Sequence, residues 1–150
     1  MAEPLAVVDA LHQVALLSRL SERQREKIAS RVTTRSYREG STIVRQGDTS
    51  VSFYVVLAGR ARIEHEAGGR RIVVDELGPG GAFGEMGLID DLPRAATVIA
   101  VEPTECALLA RWDFQNELRD DPDIALALLP VLNARIRDLD ARLARAESAG

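Results

Sequence analysis

The chain has 150 residues, 46% of them apolar and 28% charged, with a formal net charge of −4. These proportions exclude disordered and fibrous classes, and the acidic balance argues against a nucleic-acid-binding surface. One folding unit over residues 1–150 suits this length, since a chain of this size buries roughly two thirds of its unfolded surface. Cys106 is the single cysteine, so no intrachain disulfide can form. Within the apolar run Glu105-Cys106-Ala107-Leu108-Leu109 it reads as a buried, inert thiol. No apolar segment approaches the ~20 residues that span a bilayer, and the N-terminus lacks a basic region followed by an apolar core, so the expected compartment is the cytoplasm.

In chain order, Leu5, Val8, Leu11, Ala15, Leu16 and Leu17 recur at helical steps and predict an amphipathic helix, with His12 on its wetter flank. Ser21-Glu22-Arg23-Gln24 has the form of a capping box and predicts a second helix through Ile28 to Arg31. From Val32 the pattern changes to short β-rich runs: Val32 to Tyr37, Thr42 to Arg45, Phe53 to Leu57, Ala61 to Glu66 and Arg70 to Leu77. Breaks at Gly40, Gly47-Asp48, Gly59, Gly68-Gly69 and Gly78-Pro79-Gly80-Gly81 separate them, and turn formation alone explains those glycines. The spacing predicts a sandwich or barrel.

The segment Phe83-Gly84-Glu85-Met86-Gly87-Leu88-Ile89-Asp90-Asp91-Leu92-Pro93-Arg94-Ala95-Ala96-Thr97-Val98 concentrates chemistry. Gly84 allows close backbone approach, Glu85 is an acceptor suited to paired hydroxyls, and the Arg94 fork can hold a phosphate. Small Ala95 and Ala96 leave backbone N–H groups accessible, and Glu85 to Ile89 can form one helical turn whose N–H groups favour an anion. The plainer alternative is a Glu85–Arg94 ion pair closing a loop. Leu88, Ile89 and Val98 read as core. Ala96 to Val101 and Cys106 to Ala110 predict two closing strands, with Pro103-Thr104 turning between them.

Trp112 to Leu118 predicts a short helix. Asp121 is a good N-cap with Pro122 at the first helical position, opening a long helix toward Arg145 that Pro130 should kink or break. Beyond it, Leu132, Ile136, Leu139, Leu143 and Ala146 form an apolar seam that Leu129 and Ala125 continue backward. That seam pairs two copies of the chain or folds as a lid over the domain's own strands. His12 and His65 are the only histidines, without ligand-spaced partners, so neither a metal centre nor a catalytic constellation is expected.

The run FGEMGLIDDLPRAATV resembles the phosphate-binding cassette of cyclic nucleotide-binding domains, found in catabolite-activator-type regulators, cAMP-dependent kinase regulatory subunits and nucleotide-gated channels. The preceding Glu39-Gly40, Ile43, Gly47-Asp48 and Phe53-Tyr54-Val55-Val56-Leu57 with Gly59 resemble that family's β-roll. The resemblance implies an α+β fold: N-terminal helices over 1–31, an antiparallel, jelly-roll-like β-roll over 32–111, and C-terminal helices over 112–147 with no attached DNA-binding domain. It implies that Glu85 takes the ribose 2′-hydroxyl, that Gly84 and Gly87 make backbone contacts, and that Arg94 takes the phosphate. The Ala95 N–H completes the cradle, with Met86 and Ala96 in the same ligand-binding set. In the family a threonine or serine directly after the arginine favours cGMP. Ala95 therefore implies cAMP, while Thr97 keeps cGMP open as a ligand. Gly87, where alanine is usual, implies a looser turn and weaker binding. Arg135, Asp138, Leu139 and Arg142 are the candidate base contacts from the last helix. The resemblance implies a sensor whose occupancy moves the C-terminal helices. Its partners would be the nucleotide, an unidentified effector protein and a second copy of the chain through Leu132, Ile136, Leu139 and Leu143. The alternative is a protein-interaction module, or the regulatory piece of a larger receptor, with weak or no nucleotide binding.

Overall fold

A computed structural model describes residues 3–49, 51–90 and 92–149, so Asp91 of the cassette stretch lies outside the described residues. Among the described residues eight strands form two antiparallel sheets: β1 (Thr33–Tyr37), β2 (Thr42–Val44), β3 (Ser52–Ala58), β4 (Ala61–Ala67), β5 (Arg70–Leu77), β6 (Ala82–Phe83), β7 (Thr97–Ala100) and β8 (Thr104–Ala110). One sheet has the order β1-β8-β3-β6 and the other β2-β7-β4-β5. The fold is thus the α+β, antiparallel β-roll that the sequence implies, with the short β6 as an addition.

The run Phe53-Tyr54-Val55-Val56-Leu57 is apolar at every position because β3 is covered on both faces. Phe53, Val55 and Leu57 point to a layer of helices, together with Ala107 and Leu109 of β8. Tyr54 and Val56 point into the roll with Phe83, Val98 and Cys106. Alternation along a strand assigns successive side chains to these two cores.

The predicted first helix is divided. α1 covers Val7–His12, and a separate 3-10 turn covers Ala15–Leu17. Ala10, Leu11, Val14 and Leu17 would share one face of a straight helix, but Leu16 would project roughly opposite at 3.6 residues per turn. The break lets Leu16 be buried with the rest. α2 (Glu22–Ala29) begins with the expected capping box, in which Ser21 and Gln24 exchange side-chain bonds to backbone.

α3 (Arg111–Asp120) starts earlier than predicted, and Thr104 belongs to β8 rather than to a turn. Of the kink or break expected at Pro130, the break does not occur: α4 (Pro122–Ala149) runs through it as one helix. The Asp121 carboxylate accepts from the Asp123 N–H at 3.2 Å and so caps its start. Removing one backbone hydrogen bond at Pro130 costs about 3 kcal/mol. Burial of Ile124 and Leu128 on one side of the proline, with Leu132 packed on the same core beyond it, outweighs that cost. Leu88 and Val98 are buried as expected, but Ile89 is 42% exposed and is not core.

Candidate functional site

The cassette is a loop between two pieces of the roll. Phe83 ends β6, and Gly84 then adopts φ 78°, in the left-handed region, and turns the chain into a 3-10 turn over Glu85–Leu88. A Cβ at Gly84 would lie 2.0 Å from Arg94 Nη1 and 3.2 Å from the Ser52 carbonyl oxygen. Glycine here serves both the backbone angle and the seat of the arginine.

Arg94 is 9% exposed. Its Nη2 donates to the Ser52 carbonyl at 2.5 Å, and its guanidinium carbon lies 5.5 Å from the Tyr54 ring centre. Tyr54 in turn stacks on Phe83 with ring centres 4.9 Å apart. Nη1 is closed off from water and has no acceptor among the described residues. Among the described residues no carboxylate lies within ion-pair distance of this cation. Burial pushes the Arg94 guanidinium down from its usual pKa, and the Tyr54 hydroxyl opposes that shift. A buried cation without a counter-charge is an expensive arrangement that an anionic ligand would relieve.

The simple Glu85–Arg94 ion pair does not form. Glu85 Oε1 instead accepts from Arg135 Nη2 of α4 at 2.6 Å. Arg135 also approaches Met86 through Nη1, 3.7 Å from the sulfur. One carboxylate therefore links the cassette to the long helix.

Gly84, Glu85, Met86, Gly87, Arg94, Ala95 and Ala96 all line a single cavity of about 540 Å³. Its remaining wall includes apolar Val44, Ile63, Leu92 and Val98. This volume falls within the range of small-molecule sites. Glu85, Asp90 and Arg94 are the charged side chains among the described residues of its lining. The arrangement can hold an anion at Arg94, hydroxyls at Glu85 and a flat apolar group against the valine and isoleucine wall.

Thr97 does not line the cavity. Its hydroxyl accepts from the Gln46 N–H at 3.0 Å. Asp138 and Arg142 pair with each other at 3.1 Å, and Leu139 is exposed, so neither these three nor Arg135 lines the cavity. Arg135 reaches the site through the lining residues Glu85 and Met86. Sequence reasoning did not single out Tyr54, the Ser52 carbonyl, Val44 or Ile63 as parts of the site. Ile63 alternates with Arg62 and Glu64 along β4, which is the signal that could have found it, whereas the run around Tyr54 is apolar throughout and carries no such signal.

Fold and site together define a β-roll with a cavity at its cassette and a buried arginine in the cavity lining. A sequence model of the cyclic nucleotide-binding domain matches residues 34–121. The chain belongs to that family. It is 38% identical over 110 residues to the cyclic AMP receptor protein of Thermus thermophilus, covering 73% of this chain and 51% of that one. It is 34% identical over 125 residues to a cAMP-dependent protein kinase regulatory subunit of Debaryomyces hansenii, covering 83% of this chain and 27% of the relative. Among solved structures, the N-terminal domain of a transcriptional regulator from Streptomyces coelicolor superposes with a TM-score of 0.83 at 28% identity, covering 89% of this chain and 96% of that one. The regulatory domain of Toxoplasma gondii PKA, crystallised with cAMP, superposes at 0.71 with 29% identity, over 88% of this chain and 49% of that one. The chain spans between about a quarter and a half of the length of these two curated relatives.

Proposed function

We propose that this chain is a cytoplasmic regulatory sensor of a 3′,5′-cyclic purine nucleotide, cAMP in preference to cGMP, and that it has no catalytic role. The observation that carries the reading is Arg94, a buried cation without an anionic partner among the described residues, at the wall of a cavity that also holds Glu85. The phosphate supplies the missing charge, the Glu85 carboxylate accepts from the ribose 2′-hydroxyl, and the Ala95 and Ala96 N–H groups complete the cradle. The named cAMP dependence of relatives and Ala95 in place of a hydroxyl residue support cAMP. No helix among the described residues is long and apolar enough to cross a membrane.

Occupancy reaches α4 through Glu85. An ionised carboxylate accepts at about four lone-pair positions, so Glu85 can hold Arg135 through Oε1 and a ribose hydroxyl through Oε2 together. Nucleotide and docked α4 then stabilise each other, by no more than the difference in ligand affinity between docked and released helix. Calorimetric titration with cAMP and with cGMP tests the reading, using Arg94→Ala, Glu85→Ala and Arg135→Ala variants. Wild-type uptake of cAMP, loss of uptake in the first two variants and weakened uptake in the third are expected. Absence of heat with either nucleotide at millimolar concentration refutes it, and tighter binding by Arg135→Ala refutes the coupling.

A second reading rests on α4 itself. Leu129, Ile136, Leu139 and Leu143 are each more than half exposed, and Leu132 is partly buried beside them. An exposed apolar stripe of this kind fits a partner helix, and a second copy of the chain or an effector protein would cover it. Sedimentation of wild type and of Ile136→Glu/Leu139→Glu checks this. A monomer at all concentrations, with no effector bound, removes the reading.

A further inference from the structure

His65 lies in β4 and does not line the cavity, yet its ring Nδ1 sits 3.0 Å from the Ala95 carbonyl oxygen. A carbonyl oxygen can only accept, so the ring is the donor, which fixes the proton on Nδ1. Across a trans peptide the Ala95 C=O and the Ala96 N–H point in opposite directions. Holding the carbonyl toward His65 therefore turns the Ala96 N–H away from that ring, and both alanines line the cavity.

The next residue along β4 extends the same attachment. The Glu66 N–H donates to Gln46 Oε1 at 2.8 Å, and the Glu66 carbonyl accepts from Gln46 Nε2 at 2.9 Å. The Gln46 N–H donates to Thr97 Oγ1 at 3.0 Å. In the adjoining loop the Gly47 N–H donates to the Arg94 carbonyl at 2.9 Å, and the Arg94 N–H donates to the Asp48 carbonyl at 2.8 Å. The backbone on both sides of the cradle is thus fastened from behind by groups that do not line the cavity. Arg94 has its side chain at the cavity wall while its backbone is held by the 47–48 loop.

We infer that His65, supported by Gln46, is a positioning residue for the phosphate: the end of β4 braces the cradle and aims the Ala96 N–H at the bound anion. The inference rests on the nucleotide-binding reading above and adds to it a residue outside the cassette. A freely rotating Ala95–Ala96 peptide would have to be ordered at the moment of binding, and the brace removes that loss in advance.

The test uses the full chain with His65→Ala, His65→Asn and Gln46→Ala, titrated calorimetrically with cAMP, and amide proton–nitrogen spectra that follow Ala96. Asparagine is the conservative replacement because its amide nitrogen falls near the position of ring Nδ1. His65→Ala should bind cAMP about three- to tenfold more weakly, the size of one lost hydrogen bond. It should also shift the Ala96 amide in the nucleotide-free protein. His65→Asn should restore most of the affinity, and Gln46→Ala should weaken it in the same direction as His65→Ala. A wild-type chain that takes up no cAMP overturns the nucleotide reading and this inference with it. Wild-type uptake with an unchanged affinity and an unmoved Ala96 amide in His65→Ala overturns the brace alone. Equal losses in His65→Ala and His65→Asn also overturn it, because they assign the effect to the ring rather than to the donor.

Discussion

Replacing Arg94 by methionine separates what the residue does for the ligand from what it does for the fold. Arg94 is 9% exposed, with one guanidinium nitrogen bonded to the Ser52 carbonyl and another without an acceptor among the described residues. Exchanging a poorly compensated buried charge for an apolar side chain of similar length is neutral or stabilising by about 1–4 kcal/mol. Against this, the Ser52 carbonyl loses its charged donor, which costs about 1–3 kcal/mol. These opposed contributions leave the nucleotide-free protein within about 3 kcal/mol of wild type. For a chain of this length, each kcal/mol moves the melting temperature by about 2–4 °C. The nucleotide complex should respond very differently. Two charge-assisted bonds to a phosphate, each contributing about 1.5–3 kcal/mol, correspond to an affinity loss of about two to four orders of magnitude. Thermal melts with and without millimolar cAMP read both effects in one series. Arg94→Met should melt near wild type without nucleotide and gain almost nothing from cAMP. A fall of more than about 12 °C in the nucleotide-free protein would falsify the argument. It would show that the stack of Arg94 on Tyr54 serves chiefly as structure.

Gly84→Ala should destabilise the protein by at least the ~1–2 kcal/mol of a left-handed alanine, and more because its Cβ would meet Arg94 Nη1 at 2.0 Å. In an Arg94→Met background the clash disappears and the backbone contribution remains, so the two substitutions should be non-additive in a denaturation cycle; strict additivity contradicts the contact. Pro130→Ala returns a backbone donor to the middle of α4 and should raise the melting temperature by up to ~3 kcal/mol worth of stability, and a lower melting temperature counts against the continuous helix. Burial, with smaller contributions from Tyr54 and Cys106, pushes the Tyr37 hydroxyl from 10.0 up to about 12. Burial, with Glu105 adding, pushes the Cys106 thiol from 9.0 up to about 12. Both folded values lie above the unfolded ones, so this stability is complete below about pH 9 and is lost as pH rises toward 12. Alkaline melts should show that decline, and a thiol reagent at pH 8 should label Cys106 only on unfolding; equal labelling rates in native and denatured protein would exclude the buried placement.

The roll was legible because its strands carry their burial in their composition. β3 is apolar throughout and has cover on both faces, while the breaks at Gly40, Gly59 and Gly68-Gly69 fall where the chain reverses. The cassette was legible for a different reason. Gly84, Glu85, Arg94 and Ala95 sit close in sequence at the spacing of a known family's cassette, the resemblance implies one site for them, and all four line one cavity. What local spacing could not convey was tertiary. Pro130 reads as a helix breaker until Ile124, Leu128 and Leu132 are seen to share one core. Leu16 reads as part of a continuous helix until the sheet beneath it calls for burial on a second side. Ile89 was assigned to the core by its composition, but it falls at the end of the 3-10 turn, where the chain leaves the core.

The same limit applies to Glu85 and Arg94. Their opposite charges and short separation invite a mutual ion pair, yet Glu85 is held by Arg135, fifty residues later, and Arg94 is left with a neutral carbonyl and an aromatic face. Had they paired, each would have neutralised the other and the cavity would have had no use for an anion bearing hydroxyls. On the proposed reading, keeping them apart leaves a cation for a phosphate and a carboxylate for a hydroxyl. Arg135 holds Glu85 from outside the cassette at 2.6 Å, a contact that does not involve Arg94. In Arg135→Ala, Glu85 is free to swing toward the buried guanidinium, and a new Glu85–Arg94 pair would stabilise the nucleotide-free chain against binding. The variant should therefore bind cAMP more weakly, and an added Glu85→Gln change should recover part of the nucleotide-free chain's affinity for inorganic phosphate, since a neutral side chain no longer competes for Arg94. Failure of the second substitution to recover any phosphate affinity refutes this account of the separation.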